Sequence, residues 1–355
     1  MIKVGTSLLT DEQHQLDRGF VKQFTAQVSA LHKAGHELVI VTSGAVAAGR
    51  SEARFHREKK NIPFRQALAA ICQGILMKTY HDFFAAHGIT VAQALLTNYD
   101  FANRENFLNT KNVFELLFAQ GVIPIVNEND VTTIAELKFM DNDMLSAKTA
   151  AMVSADALYI LTDVDGLFLE DPKKNPRAKL LATVAKIDDS IFALAGGARS
   201  KNSTGGMITK LEAAKYVTSV GISMYILNGR RTDVLTNPAG TFFPAAAKRT
   251  ESQKKWLLPK IKKNAWIAID EGAEAALREK GKSLLPSGVS AVKGEFHRGD
   301  VVMVKSGNGD VAYGQINYGS ADLEKIKKHR SGEIEEILGF SFEEEAIHRD
   351  RMVIL

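Results

Sequence analysis

The 355-residue sequence contains a single cysteine, Cys72, so it cannot form an internal disulfide bond. A chain without disulfides fits a reducing compartment, and Cys72, in an apolar stretch, is interpreted as a buried, inert thiol. The sequence also has no run approaching the roughly 18 apolar residues that cross a bilayer, and its first residues do not have the pattern of a signal peptide. We therefore expect a cytoplasmic protein that does not bind a membrane.

Histidine-based metal sites and common nucleotide motifs are missing as well. The nine histidines are scattered along the chain, and we predict no histidine-based metal site from them. Gly281-Lys282-Ser283 resembles the end of a Walker A loop, but Ala276 stands where that loop requires glycine. Gly307-Asn308-Gly309 resembles part of a dinucleotide-binding motif, yet it lies in a predicted hairpin with no helix after it. We assign a nucleotide site to neither glycine motif.

The charge is unevenly distributed along the chain. Residues 1–263 hold 33 Lys and Arg against 25 Asp and Glu, a balance of +8. Residues 264–355 hold 12 against 16, a balance of −4. The basic part suits an anionic ligand, whereas an acidic C-terminal part argues against a nucleic-acid partner.

Short apolar runs alternate with amphipathic stretches over residues 1–247. The runs are rich in Val and Ile and are bounded by Gly, Asn, Ser or Asp, which is typical of buried strands. Such alternation predicts a mostly parallel sheet covered by helices on both faces. The predicted strands are 2–4, 37–42, 89–96, 122–126, 157–161 and 222–227, and the predicted helices are 17–34, 64–86, 110–120, 142–154 and 209–219.

The composition changes after residue 247. Residues 248–263 carry seven basic residues and one acidic residue and include Pro259, which predicts a solvated linker. Short strand-like runs follow at 266–269, 301–304 and 312–316, with the turn signal Asn308-Gly309 between the last two. We therefore predict a first domain at 1–247, a basic linker at 248–263 and a small β-rich domain at 264–355.

Small and polar residues collect where four predicted strands end. Ligands of open parallel sheets bind at the carboxyl ends of the strands, so four such ends together favour one site. The four segments are Lys3-Val4-Gly5-Thr6-Ser7, Thr42-Ser43-Gly44-Ala45, Asn127-Glu128-Asn129-Asp130 and Thr162-Asp163-Val164-Asp165-Gly166.

Some of these residues suit an anion. Gly5 and Gly44 allow backbone N–H groups to approach a phosphate closely, and Lys3 adds a cation beside them. The segment 203–210, Ser-Thr-Gly-Gly-Met-Ile-Thr-Lys, can wrap a polyphosphate with its amides, and Lys210 then opens a helix. A flexible surface loop is the alternative interpretation of this segment.

Other residues suit an ammonium group. Asn127 and Asp130 offer hydrogen-bond acceptors. Asp141-Asn142-Asp143 begins a predicted helix, where capping explains one acidic residue but not the whole cluster.

In order and spacing, these segments resemble the amino-acid kinase family. The resemblance rests on Lys3–Ser7, Val41–Ala45, Val126–Asp130, Asp141–Asp143, Leu161–Asp163 and Thr204–Lys210. Residues 264–355 resemble a PUA domain through Asp270-Glu271-Gly272-Ala273 and Ser283-Leu284-Leu285-Pro286-Ser287-Gly288-Val289. Together the two resemblances cover nearly the whole chain.

The resemblance implies a three-layer α/β/α fold with an open, mostly parallel sheet, followed by a small β-rich PUA domain. Within the family, the sequence is most similar to members that use ATP and Mg²⁺ to phosphorylate the side-chain carboxylate of L-glutamate, the first step of proline biosynthesis. The resemblance also implies a homo-oligomer, either a dimer or a tetramer, and feedback inhibition by proline.

On this hypothesis Lys3 and Lys210 contact the transferring phosphoryl group, and the resemblance implies that Asp143 holds the two lysines in position. The residues expected to bind the glutamate substrate are Ser43, Gly44, Asn127, Asp130 and Asn142. The residues expected to bind ATP are Lys3, Gly5, Thr162, Asp163, Thr204, Gly205, Gly206, Met207, Ile208, Thr209 and Lys210. The ligands of a metal ion are not assigned.

Two other functions stay open at this point. A kinase of the same fold could act on another carboxylate, a carbamate or a nucleotide, because the fold alone does not select the substrate. An RNA-binding protein is the second alternative, because PUA domains occur in RNA-modifying enzymes, although residues 264–355 lack a basic, aromatic stripe.

Overall fold

The structure is a computed structural model that describes residues 1–13, 15–43, 61–132, 141–172, 174–196, 206–246, 261–307 and 309–355. The chain forms two compact units. The first comprises Met1–Ala102 and Asn109–Ala247, and the second comprises Asn103–Leu108 and Lys248–Leu355. No described helix has the length and hydropathy that a membrane crossing requires.

The described part of the first unit contains a sheet of seven strands: β1 (Ile2–Val4), β2 (Ile40–Thr42), β3 (Val91–Leu96), β4 (Ile123–Glu128), β5 (Ala157–Thr162), β6 (Ser223–Asn228) and β7 (Gly240–Phe243). Their order is β3-β4-β2-β1-β5-β6-β7. Every neighbouring pair is parallel except β6 with β7. The predicted mostly parallel sheet is therefore confirmed, with an antiparallel edge strand, β7, that the sequence analysis does not predict.

Eight described helices accompany these strands: α1 (Thr6–Leu9), α2 (Arg18–Lys33), α3 (Ile62–Ala85), α4 (Asn98–Ala102), α5 (Arg104–Ala119), α6 (Asn142–Met152), α7 (Asp189–Leu194) and α8 (Met207–Ser219). The five predicted helices correspond to α2, α3, α5, α6 and α8. Gly35 follows α2 with φ of +92°, as expected of a glycine that ends a helix. Asp17 caps the start of α2 by accepting a hydrogen bond from the Phe20 amide at 2.9 Å.

Strand β1 presents its two faces to different helices. Ile2 and Val4 belong to a buried apolar core that also contains side chains of α2 and α3. Because side chains alternate along a strand, Lys3 points to the opposite face, which is the face covered by α6. Its side chain is buried there, and this position sets up the site.

The second unit contains a five-stranded sheet in the order β12-β11-β10-β8-β9. The strands are β8 (Ile261–Ile269), β9 (Val289–Lys293), β10 (Val301–Ser306), β11 (Gly309–Gln315) and β12 (Met352–Ile354), and the described helices are α9 (Glu271–Lys280), α10 (Ser320–Ile326) and α11 (Ile334–Leu338). β10 and β11 are antiparallel, as the predicted hairpin requires, although Asn308 in its turn lies outside the described residues.

The second unit changes one predicted boundary. Strand β8 begins at Ile261, so residues 261–263 are strand, and their placement in the predicted linker is wrong. The pairing of β8 with β10 is irregular between Ile261 and Trp266, so the start of this strand does not follow from a regular alternating pattern. Residues 248–260 of that linker lie outside the described residues. Gly281 ends α9 with φ of +56°, in the left-handed region that favours glycine.

Candidate active site

The carboxyl ends of four strands lie side by side at one edge of the first sheet. Val4 in β1 is level with Thr42 in β2 and with Leu161 in β5. Val41 in β2 is level with Val126 in β4. The next residues along these parallel strands therefore reach the same edge, which is where ligands of such sheets bind.

A buried carboxylate bridges two lysines at this edge. One oxygen of Asp143, Oδ1, lies 2.7 Å from Lys3 Nζ, and the other, Oδ2, lies 3.1 Å from Lys210 Nζ. Asp143 is 1% exposed, Lys3 is 6% exposed and Lys210 is 9% exposed. Residues 3, 143 and 210, which come from β1, α6 and α8, thus form one cluster.

The electrostatic balance of this cluster keeps Asp143 ionised. Burial alone would raise the pKa of Asp143, but the charges of Lys3 and Lys210 outweigh that effect and hold the pKa below its ordinary value. A buried carboxylate with two cationic partners is a stable arrangement, whereas an unpaired one would be costly. The two ammonium groups are therefore held close together by a single anion.

Thr209 adds a second connection between Asp143 and α8. Thr209 Oγ1 lies 2.8 Å from Asp143 Oδ2 and 2.9 Å from the carbonyl oxygen of Gly206, and its single proton can serve only one of them at a time. The same hydroxyl accepts a hydrogen bond from the Gly206 amide at 3.1 Å. These bonds fix the first turn of α8 against Asp143.

The three polar residues at the start of α6 each make different contacts. Asp141 caps the helix, because its Oδ1 accepts hydrogen bonds from the amides of Asp143 and Met144 at 3.1 and 3.0 Å. Asn142 Nδ2 lies 3.0 Å from the Thr42 carbonyl oxygen and 2.8 Å from Ser43 Oγ. Asp143 forms ion pairs with Lys3 and Lys210. Capping thus explains one acidic residue, as the sequence analysis expects.

Asn142 also connects to β4 through Asn127. Asn142 Nδ2 lies 3.2 Å from Asn127 Oδ1, and Asn127 Nδ2 donates to Gln73 Oε1 of α3 at 2.9 Å. The structure therefore brings Ser43, Asn127 and Asn142 together, as predicted for a substrate pocket. Gln73 was missed, because it lies within an apolar helix and has no motif around it.

The remaining predicted residues have different surroundings. Asp130 is half-buried two residues beyond the end of β4. Thr162 is buried at the end of β5 and donates to the exposed Asp163 at 3.1 Å. Met207 and Ile208 form the half-buried start of α8. Gly44, Thr204 and Gly205 lie outside the described residues.

Gly5 lies directly after β1. Its own amide donates to the Leu161 carbonyl oxygen at 3.0 Å, because β1 and β5 are adjacent parallel strands. A Cβ atom at Gly5 would lie 3.2 Å from the Leu161 carbonyl oxygen and 3.9 Å from Lys3 Nζ. The glycine therefore allows close packing beside Lys3.

Comparison with known proteins identifies the family of this chain. Residues 1–228 match the model of the amino acid kinase family, and residues 265–338 match that of the PUA domain. The chain belongs to the amino acid kinase family and carries a PUA domain, which confirms the predicted fold class.

Over its whole length the chain is similar to glutamate 5-kinases. The enzyme of Caldanaerobacter subterraneus subsp. tengcongensis is 42% identical over 361 residues, which is 100% of this chain and 97% of that protein. The enzyme of Shewanella pealeana is 43% identical with the same coverage. A solved X-ray structure of isopentenyl phosphate kinase is 18% identical with a TM-score of 0.47, covering 68% of this chain and 98% of that chain.

Proposed function

We propose that this protein transfers the γ-phosphate of ATP to the side-chain carboxylate of L-glutamate. The products are ADP and L-glutamyl 5-phosphate, and the reaction is the first step of proline biosynthesis. The similarity to glutamate 5-kinases over the whole chain supports this reaction. The observation that carries the mechanism is that one buried carboxylate bridges Lys3 and Lys210.

The chemistry needs positioning and charge stabilisation. The side-chain carboxylate of glutamate is already ionised at neutral pH, so it attacks phosphorus without a general base. The barrier then depends on bringing two anions together and on stabilising the charge on the phosphoryl oxygens. Preorganised ammonium groups in a site that excludes water are suited to this task.

Lys3 and Lys210 fill this role in our proposal. An ammonium group has three N–H donors. Lys210 donates one of them to Asp143 Oδ2, and Lys3 forms an ion pair with Asp143 Oδ1. In this proposal, further N–H donors of both lysines contact oxygens of the phosphoryl group as it passes from ADP to glutamate. Asp143 acts as a positioning residue, because it sets the separation of the two lysines.

The acceptor amino acid lies beside them in this proposal, at the ends of β2 and β4. Ser43, Asn127 and Asn142 form one hydrogen-bonded group, and we assign them to glutamate with Gly44 and Asp130. Asn142 Oδ1 is buried without a hydrogen-bond partner among the described residues, which suits a ligand that donates hydrogen bonds. The Asp130 carboxylate is the proposed partner of the α-ammonium group.

ATP is assigned to the ends of β5 and β1 and to the start of α8. As a kinase, the protein uses ATP. Thr162, Asp163 and the segment from Thr204 to Lys210 are the proposed contacts, and Gly5 contributes the space beside Lys3. The N-terminal end of α8, which has 13 residues, favours phosphate through its dipole.

We propose that Mg²⁺ enters with ATP. Mg²⁺ takes oxygen ligands and is usually held by substrate phosphates, water and one or two carboxylates, and the exposed carboxylate of Asp163 at this edge fits that donor set. When bound, the ion supplies positive charge to the phosphate oxygens.

Several further properties are proposed from the family resemblance. They are cytoplasmic location, a homo-oligomeric state, either dimer or tetramer, and feedback inhibition by proline. We also retain a kinase domain at residues 1–247 and a PUA domain that follows the linker, with residues 261–263 assigned to strand. Light scattering after gel filtration tests the oligomeric state, and activity at increasing proline concentration tests inhibition.

Trapping of the acyl phosphate with hydroxylamine tests the proposed reaction. The purified protein is incubated with ATP, Mg²⁺ and glutamate, aspartate or N-acetylglutamate, each with and without proline. We expect hydroxamate to form with glutamate but not with aspartate or N-acetylglutamate. Proline should reduce the amount of hydroxamate formed with glutamate. Hydroxamate formed with another acceptor but not with glutamate would indicate a different kinase of the same fold.

A further inference from the structure

Gln73 is a buried amide that the sequence analysis assigns to no role. It lies in α3, where the surrounding helix is apolar, and it is 8% exposed. Its Oε1 accepts a hydrogen bond from Asn127 Nδ2 at 2.9 Å. It is therefore connected to the acceptor-substrate residues through Asn127.

Two backbone groups determine which atom of each side-chain amide donates a hydrogen bond and which accepts one. The Glu128 N–H can only donate, and it donates to Asn127 Oδ1 at 2.9 Å. The NH₂ group of Asn127 must then face Gln73, so Gln73 must present its oxygen. On the other side, the Thr42 carbonyl oxygen can only accept, and it lies 3.0 Å from Asn142 Nδ2.

Asn142 depends on Asn127 for part of its position. Asn142 Nδ2 has two protons but three acceptors within reach, namely the Thr42 carbonyl oxygen, Ser43 Oγ and Asn127 Oδ1. A shift of Asn127 therefore redistributes these bonds. It also moves Asn142 Oδ1, the buried oxygen that has no partner among the described residues.

Packing alone does not explain a glutamine at this position. Gln73 Nε2 is buried and has no hydrogen-bond partner among the described residues. An unpaired buried donor is unfavourable, whereas methionine would fill a similar volume without one. The polar function that the structure shows for Gln73 is to accept the hydrogen bond from Asn127.

We propose that Gln73 is a positioning residue for the acceptor amino acid. By holding Asn127, it places Asn142 and Ser43 for substrate, without itself touching the reacting atoms. This inference rests on the proposed function, because it identifies the glutamate site as the site that Gln73 supports.

Kinetics of two Gln73 variants test the proposal. Gln73→Met removes the acceptor for Asn127 Nδ2, and we expect the KM for glutamate to rise about tenfold, which corresponds to about 1.4 kcal/mol. The KM for ATP and the kcat at saturating glutamate should change less than about threefold, since Lys3, Lys210 and Asp143 are untouched. Gln73→Glu keeps an oxygen for Asn127, ionised or not, and should restore the glutamate KM to within about threefold of the original value.

Gln27→Met in α2 is the matched control. Gln27 accepts a hydrogen bond from the Leu235 amide at 3.4 Å, and Leu235 is not one of the acceptor-substrate residues, so the same substitution there should leave the glutamate KM unchanged. Thermal unfolding of each variant identifies a general loss of structure. If Gln73→Met does not fold, Gln73→Leu, which also lacks the acceptor oxygen, takes its place with the same expected rise in the glutamate KM.

Two results would overturn the proposal: an unchanged glutamate KM in the folded variant that lacks the acceptor oxygen, whatever its melting temperature, or a tenfold rise in the glutamate KM of Gln73→Glu. The acceptor specificity of the unsubstituted enzyme distinguishes failure of this inference from failure of the proposed function. If it rejects glutamate and phosphorylates another acceptor, the proposed function fails, and the KM for that acceptor then tests Gln73.

Discussion

Asp143 organises the phosphoryl site at the scale of single residues. Two ammonium groups near one another repel, and the repulsion is strong where water is excluded. The carboxylate of Asp143 contacts both Lys3 and Lys210 and so allows them to be buried together. A phosphoryl group in transfer carries negative charge on its oxygens, so a preassembled pair of cations reduces the reorganisation that the reaction needs.

Removal of either lysine should mainly lower turnover. We expect Lys3→Ala or Lys210→Ala to reduce kcat by roughly 100-fold or more, which is typical for loss of a preorganised charge stabiliser. Steady-state kinetics measure this effect, with Lys33→Ala on the exposed side of α2 as the control. Near-normal kcat in either folded variant would remove that lysine from the mechanism.

The lowered pKa of Asp143 predicts a pH dependence of stability. Because the folded-state pKa lies below the ordinary value of 3.8, ionised Asp143 contributes stability above that value, and the contribution is lost as the pH falls through the folded-state pKa. The melting temperature of the original protein should exceed that of Asp143→Asn at neutral pH, and the gap should narrow below about pH 4. A gap that stays constant down to pH 3 would contradict the ion-pair account.

Sequence reasoning finds the residues whose position follows from the strand ends. Lys3, Ser43 and Asn127 are predictable because each lies at or next to the carboxyl end of a recognisable strand. Gln73 and the bond from Thr209 to Asp143 are not, because they depend on how helices pack across the sheet. The bond from the Gly5 amide to Leu161 is not predictable either, because glycine permits close approach but does not determine which partner its amide finds.

At the scale of elements, periodicity predicts the long helices and misses the short ones, α1, α4 and α7. The helices α2, α3, α5, α6 and α8 are long enough to show an apolar pattern or a capped start, and β1 to β6 are apolar runs between helices. Strand β7, Gly-Thr-Phe-Phe, is missed although it is longer than β1 and β2, because it lacks the Val and Ile of the other strands and its antiparallel pairing with β6 depends on the tertiary structure.

Two glycines in these elements should respond oppositely to alanine. A Cβ at Gly240 would lie 2.2 Å from the Ile226 carbonyl oxygen and 2.8 Å from that of Asp165, so Gly240→Ala should destabilise the protein by about 2 kcal/mol or more. Gly74 is exposed in α3, and a Cβ there would meet nothing within 4 Å. Gly74→Ala should therefore stabilise the protein by about 0.5–1 kcal/mol.

Denaturant unfolding of both glycine variants measures these changes. The account predicts opposite signs, because the two sites share the same substitution and differ in the space around it. Equal shifts in the midpoint would show that the close approach at Gly240 does not constrain the strand pair of β6 and β7.

At the scale of the whole molecule, the chain joins a kinase domain to a PUA domain. The sequence predicts this division through the change in strand pattern and the basic segment at 248–263. It cannot set the linker boundary, because Lys262 and Lys263 have the composition of a linker and the conformation of a strand.

The charge of the C-terminal part predicts weak binding to RNA. With 12 basic and 16 acidic residues, residues 264–355 offer little phosphate neutralisation, so we expect only weak tRNA binding, in the range of about 10⁻⁴–10⁻⁶ M, that declines as salt increases. Filter binding at two salt concentrations measures it. Tight, sequence-selective binding at the higher salt would favour the RNA-binding alternative.

A crystal structure with glutamate, Mg²⁺ and a non-hydrolysable ATP analogue tests the central claim most directly. The account predicts that Lys3 Nζ and Lys210 Nζ both lie within hydrogen-bond distance of γ-phosphate oxygens, with the glutamate side-chain carboxylate facing phosphorus. A γ-phosphate bound away from both lysines, while Asp143 still holds them, would contradict it.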